Sequence, residues 1–87
     1  MEFEWDEWKR AANLAKHGLD FADVARFDWD RAAVEADLRL QYGEDRFRAF
    51  GWLDGEMHSI AFTLRNGVVR VLSFRYANRK ERRIYGP

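Results

Sequence analysis

The sequence predicts an α+β domain: an antiparallel sheet, built from a three-strand meander plus one or two N-terminal strands, with two N-terminal helices and one C-terminal helix. Three observations predict it. Apolar residues recur every three to four positions between Asp6 and Gly18. Asp54-Gly55 and Asn66-Gly67, each set between strand-like runs, have the composition of two-residue hairpin turns. Asn78-Arg-Lys-Glu81 has the form of a capping box opening a last helix.

Each element follows from local signals. Phe3-Glu4-Trp5 reads as a short strand. Asp6 is placed to cap a helix over about 6–17, with Glu7 in the first turn and Trp8, Ala12 and Ala15 on its apolar spacing. Lys16 and His17 complement the dipole in the last turn, and Gly18 ends it. Asp20 caps a second, shorter helix carrying Phe21, Val24, Ala25 and Phe27 on one side. Ala33-Val34-Glu35 is a candidate strand leading to the polar turn Gln41–Asp45. The meander follows as Arg46–Leu53, Met57–Leu64 and Val68–Phe74. Strict alternation on the third strand puts Val69, Val71, Ser73 and Arg75 on one face, and Arg70, Leu72 and Phe74 on the other. The last helix runs to about Tyr85, and the helices are expected on one side of the sheet. No linker or repeat divides residues 1–87, which are read as one domain.

Composition excludes several functions. A chain of 87 residues buries roughly 60–65% of its unfolded surface, so the core is modest. Its 47% hydrophobic and 16% aromatic content still suffices for one. The absence of cysteine rules out disulfides and thiolate metal sites and fits a reducing cytoplasm. No apolar run reaches ~18 residues, and the N-terminus lacks the pattern of a signal peptide, so no membrane association is expected. The formal net charge of zero conceals a sorting along the chain. Residues 1–64 hold eight Lys/Arg against fourteen acids, and residues 65–87 hold seven against Glu81 alone. Such sorting points to a polyanion partner.

The chemistry-bearing residues narrow the field further. His17 and His58 are far apart in sequence and belong to no helical His pair, so zinc has little support. Neither a G-x-S-x-G nor a glycine-rich phosphate loop is present, and no cofactor is implied. Arg65, Arg70, Arg75, Arg79, Lys80, Arg82 and Arg83 instead cluster on a hairpin, a strand and the following helix. Arg46 and Arg48 share a face of the first meander strand and are placed to extend that patch. Were the ligand RNA and the reaction cleavage by the 2′-hydroxyl, three groups would be needed: a proton acceptor, a cation at the phosphorane oxygens, and a donor for the leaving 5′-oxygen. Arg75 suits the cation, Glu81 or His17 the acceptor, and Tyr85 or a lysine the donor. No metal is required by that scheme.

The same residues have plainer readings. Glu81 is the N3 acid of a capping box, and Lys16-His17 compensates a helix dipole. Arg79, Arg82 and Arg83 form a solvated helix face, where charge says little about function. Tyr85 is a core contact of the last helix. Trp5, Trp8, Trp29 and Trp52 are mostly core, with one available to stack on a base or anchor a partner. On the residues alone, binding of nucleic acid or protein stands ahead of catalysis.

Four stretches then occur in order: Phe3-Glu-Trp-Asp6; Asn13-Leu-Ala-Lys-His-Gly18 followed by Phe21; Tyr42-Gly-Glu-Asp-Arg46 with Gly51; and Arg70-Val-Leu-Ser-Phe-Arg75 with Ala77-Asn-Arg-Lys-Glu-Arg82 and Tyr85. In these the chain resembles the BrnT family, ribonuclease toxins of type II toxin–antitoxin modules. The resemblance implies a RelE-like fold and a bacterial cytoplasmic endoribonuclease that inhibits translation. It also implies neutralisation by a BrnA-like antitoxin with a DNA-binding portion, through which alone operator DNA would be reached. Transferred to this sequence, the functional positions are Lys16, His17, Arg46, Arg75, Glu81, Arg82 and Tyr85, with Ser73 beside them. Members of the family often carry an acid or proline after the middle-strand threonine. Here Leu64 follows Thr63, which leaves Glu81 as the main acid near the basic end.

Overall fold

The computed structural model describes residues 1–86. Its strands are β1 (Phe3–Trp5), β2 (Ala33–Ala36), β3 (Phe47–Leu53), β4 (Glu56–Arg65) and β5 (Val68–Tyr76). The α-helices are α1 (Glu7–His17) and α2 (Arg79–Tyr85). The expected second helix is a 3₁₀ segment, Phe21–Arg26, followed by a 3₁₀ turn at Trp29–Arg31. All three expected N-caps form: the Asp6 carboxylate accepts from Trp8 N at 2.8 Å, Asp20 accepts from Ala22 N at 2.9 Å, and Asn78 and Glu81 complete the capping box. Both hairpin turns have positive φ at their two central residues, as a type I′ turn requires.

One five-stranded sheet runs in the order β1-β5-β4-β3-β2. It is mixed rather than antiparallel, because β1 pairs parallel to β5, with Phe3 opposite Val69 and Trp5 opposite Val71. The chain leaves β1 through α1 and comes back beside it only with β5, the last strand of the meander, so the edge strand β1 and its neighbour β5 share a direction.

The helices also lie on both faces, against expectation. Phe21, Val24 and Phe27 pack with Ala49, Ile60, Phe62, Val69, Val71 and Phe74 to form the core on one face. On the other, Tyr85 of α2 stacks on Phe50, with ring centroids 4.1 Å apart and planes 3° from parallel. Gly51 permits close layering on the core side, since a Cβ there would lie 2.8 Å from Phe27 Cζ.

Helix α1 departs most from its pattern. Trp8 is 87% exposed, and Ala12 and Ala15 are exposed as well. Its inward residue is Asn13, whose side chain is buried against β5. Asn13 Nδ2 donates to the Phe74 carbonyl at 2.8 Å and to the Leu19 carbonyl at 3.1 Å, while its Oδ1 accepts from Phe74 N at 3.0 Å. The pairing with β1 ends at Val71, so one amide side chain supplies the next strand partner on that edge. Of the other tryptophans, Trp5 and Trp29 pack against the core, and Trp52 is exposed.

Candidate functional site

A β-bulge decides which side chains meet. Phe62 of β4 pairs with Val71 and Ala61 with Ser73, which leaves Leu72 as the extra residue. Beyond it the alternation of β5 reverses. Val69, Val71 and Phe74 are all in the core, with Phe74 opposite Ile60, while Arg75 stands opposite Ser59 on the other face. Strict alternation, which grouped Arg75 with Val69 and Val71, is therefore overturned at the bulge. Arg70, paired with Thr63 before the bulge, shares the face of Ser73 and Arg75. Phe50 and Arg48 of β3, and Glu35 of β2, lie on this face too, since Phe50 pairs with Ser59, Arg48 with Ala61, and Glu35 with Arg48.

Where α2 crosses this face there is a cleft of about 390 Å³, lined by Arg39, Arg48, Phe50, Arg75, Asn78, Lys80, Glu81, Ile84 and Tyr85. Arg75 has its fork closed on the Glu81 carboxylate: Nη1 to Oε1 at 2.7 Å and Nη2 to Oε2 at 2.9 Å. Glu81 Oε1 also accepts from Asn78 N at 3.0 Å. The Arg75 guanidinium is the main cause that holds the Glu81 carboxyl below the usual carboxylate range, with burial opposing it and the Asn78 N–H assisting. Glu81 raises Arg75 in return. The capping acid is thus also the ion-pair partner of Arg75.

A second carboxylate anchors the opposite wall. Glu35 Oε1 accepts from Arg48 Nη2 at 2.6 Å, and Glu35 Oε2 accepts from the Tyr85 hydroxyl at 2.7 Å. Arg48 lies over Phe50, its Cζ 5.3 Å from the ring centroid. Its buried Nε has no hydrogen-bond partner among the described residues. Arg39 enters from the loop after β2, fixed by two 2.8 Å bonds to the buried Asp37, whose carboxyl it holds far below its ordinary range.

The other expected positions divide clearly. His17 ends α1 close enough for the Arg75 charge to act on it; burial first, then Lys16 and Arg75, push its imidazole down from the ordinary value. Lys16 is exposed beside it. Arg46 is not brought to the cleft. It lines a larger hollow of about 620 Å³ within the 36–47 loop, bonded to Glu44 at 3.0 Å and lying over the Tyr42 ring at 4.1 Å. Arg65 reaches Glu44 at 3.5 Å, and Arg70 is bonded to Glu4 of β1 at 2.9 Å. Arg82 turns away, donating to the Ala77 carbonyl at 2.6 Å. Arg79, Lys80 and Arg83 are exposed, and only Lys80 of these lines the cleft. Glu35 and Arg39 escaped sequence reasoning, because their signal is the pairing of β2 with β3 and a loop returning over the sheet. Arg48 was legible only as a neighbour of Arg46. Among the described residues no group of three or more His, Cys, Asp or Glu is arranged to hold a metal.

A family model described as ribonuclease toxin, BrnT, of type II toxin–antitoxin system matches residues 5–81. The chain belongs to the BrnT family. Comparison with curated proteins gives no match. The matched span of this BrnT-family chain includes His17, Arg46, Arg75 and Glu81, and Tyr85 lies just beyond it. As a member of a toxin family, it has an antitoxin as its expected partner and RNA as the substrate that the family's description implies.

Proposed function

We propose that this chain is a metal-independent endoribonuclease of RelE-like architecture that inhibits translation in the bacterial cytoplasm. A BrnA-like antitoxin neutralises it and carries the complex to operator DNA through its own DNA-binding portion. The observation that carries this reading is the convergence of Arg39, Arg48, Arg75 and Lys80 on one small cleft beside the Tyr85 hydroxyl. Four cations there match a phosphodiester and its developing phosphorane charge, which fixed guanidinium groups stabilise without a metal ion. Arg75 acts on the phosphorane oxygens, Glu81 holds its fork in place, Tyr85 moves a proton within the cleft, and His17, outside the cleft lining, is a second proton-carrying group. Lys16, Ser73, Arg79 and Arg83 extend the track along which the RNA backbone runs. Arg65, Arg70 and Arg82 contribute through the field and through the contacts they keep. Arg46 supports the loop that delivers Arg39. No helix among the described residues is long and apolar enough to cross a membrane.

The test is cleavage of RNA by the purified chain in excess EDTA. Arg75→Ala is expected to lower the cleavage rate by roughly 10²-fold or more, the scale of removing one positioned charge donor. RNA binding should weaken only a few-fold, because Arg39, Arg48 and Lys80 remain. Growth inhibition undiminished in Arg75→Ala would refute the assignment. A second reading rests on the closure of the Arg75 fork on Glu81, which leaves that cation partly spent. A non-catalytic module would bind nucleic acid or a partner through the basic strand and helix, with steep salt dependence and no cleavage products.

A further inference from the structure

Glu35 lies 50 positions before Tyr85, on a four-residue edge strand, yet its carboxylate joins two walls of the cleft. The Arg48 bond fixes one oxygen and the Tyr85 bond occupies the other. The near-parallel stack on Phe50 holds the Tyr85 ring plane, so the phenol has little freedom to swing elsewhere. A phenol carries one proton and two lone pairs. With the proton donated to Glu35, it is the lone pairs of Tyr85 that remain for a bound molecule. Glu81 is placed differently. Its side chain is only 11% exposed, and it already accepts three hydrogen bonds, two from Arg75 and one from Asn78 N.

We propose that Tyr85, positioned by Glu35, is the proton acceptor of the cleft, and that Glu81 serves only to hold Arg75. The inference rests on the ribonuclease reading and deepens it by naming what the site recognises: a ribose 2′-hydroxyl, which donates to the Tyr85 oxygen. In the cleavage step the 2′-oxygen forms a bond to phosphorus and the phosphorus–O5′ bond breaks. The 2′-hydroxyl proton passes to the Tyr85 oxygen as the phenolic proton passes to the Glu35 carboxylate. The departing 5′-oxygen takes a proton from water, and the hydroxide this leaves takes up the proton held on Glu35, which restores the carboxylate. Arg48 keeps the Glu35 carboxylate turned toward Tyr85 before the step.

The Tyr85 phenol is pushed up from its ordinary value, first by its hydrogen bond to Glu35 and then by burial, so it enters the step protonated. The charged groups around it are Glu35 from β2, Arg48 from β3 and Glu81 from its own helix, with Arg39, Arg75 and Lys80 lining the same cleft.

The test compares the wild-type chain with Glu35→Gln, Tyr85→Phe and the double variant. An RNA oligonucleotide and its all-deoxy counterpart serve as probes. Each single variant is expected to lower kcat by about 10²–10⁴-fold, with KM changed less than about threefold. Residues acting as one unit are non-additive, so the double variant should be no slower than the worse single variant. The deoxy probe should bind without being cut. Multiplied losses in the double variant, or wild-type kcat in Glu35→Gln, overturn the proposal. A second readout needs no activity: NMR of Cζ-labelled tyrosine, followed to high pH, reports the three phenols separately. The signal absent in Tyr85→Phe should titrate above the ordinary phenol value in wild type and move back toward it in Glu35→Gln. If it does not move, the contact is refuted whether or not RNA is cleaved. If it moves but the wild-type chain cuts no RNA, the ribonuclease reading falls and the acceptor role falls with it, while the positioning contact stands.

Discussion

The Arg75–Glu81 pair should hold the fold together as well as the site, and a double-mutant cycle can separate the two contributions. Arg75→Ala leaves a carboxylate that is 11% exposed with the Asn78 N–H as its remaining partner. Removing one member of a fully buried pair costs about 3–5 kcal/mol. The Arg75 side chain is 28% exposed, so water relieves part of that penalty and about 2–3 kcal/mol is the better expectation. Glu81→Gln removes the charge but keeps a side chain that can complete the capping box. It should therefore cost less, about 1–2 kcal/mol. Because both changes break one interaction, the double variant should fall short of the sum by about 1 kcal/mol or more. Urea unfolding followed by the fluorescence of the four tryptophans measures this. With a slope of roughly 1 kcal/mol per molar for so small a chain, Arg75→Ala should lower the midpoint by about 2–3 M. Losses that add within about 0.5 kcal/mol would show that the two side chains stabilise the fold independently, and the reasoning would fail.

Asn13→Ala should be among the costliest substitutions outside the apolar core. It removes three hydrogen bonds and strands the Phe74 N–H and C=O, so about 2–4 kcal/mol is expected, read as a drop of roughly 10 °C or more in Tm. A loss below about 0.5 kcal/mol would mean that water or a shifted β1 replaces the side chain. The pH dependence follows from the depressed imidazole of His17. The unfolded chain takes up that proton near pH 6.5 and the folded chain only at lower pH, so stability should fall as pH drops through about 6.5. In His17→Gln this part of the profile should flatten; an unchanged slope between pH 7 and 5 would exclude His17 as its source. The Glu81 contribution has the opposite origin and the same sign. Its carboxyl is depressed in the folded chain, so its stabilisation is complete above its unfolded value and is lost as pH falls through the folded one.

How much of this was legible in the sequence depended on the range of each signal. The caps at Asp6 and Asn78 and the turns at Asp54-Gly55 and Asn66-Gly67 involve neighbours within four residues, and all four formed as expected. Helix α1 formed where its caps placed it, yet its apolar spacing mispredicted the inward face. The alanines and Trp8 lost to Asn13, because the β5 amide and carbonyl left unpaired where β1 ends need a polar partner more than the core needs another methyl group. The candidate site shows the same division. Arg75, Lys80, Glu81 and Tyr85 were legible within a basic segment containing one acid and two phenols, and these four do line one cleft. Glu35 and Arg39 carried no local signal.

By itself, then, the sequence determined the order of the elements, their ends and turns, and the gathering of cations in the last 23 residues, since each depends on φ/ψ preference, capping or formal charge. Only the tertiary structure decided where those cations point. The bulge at Leu72 turns Arg75 away from the core. The last strand of the meander, β5, comes to lie beside β1 and parallel to it. The pairing of β2 with β3 carries Glu35 to within 2.7 Å of the Tyr85 hydroxyl. Each of these depends on strand register between distant segments, and register is settled by which side chains fill the shared core rather than by any residue's own preference.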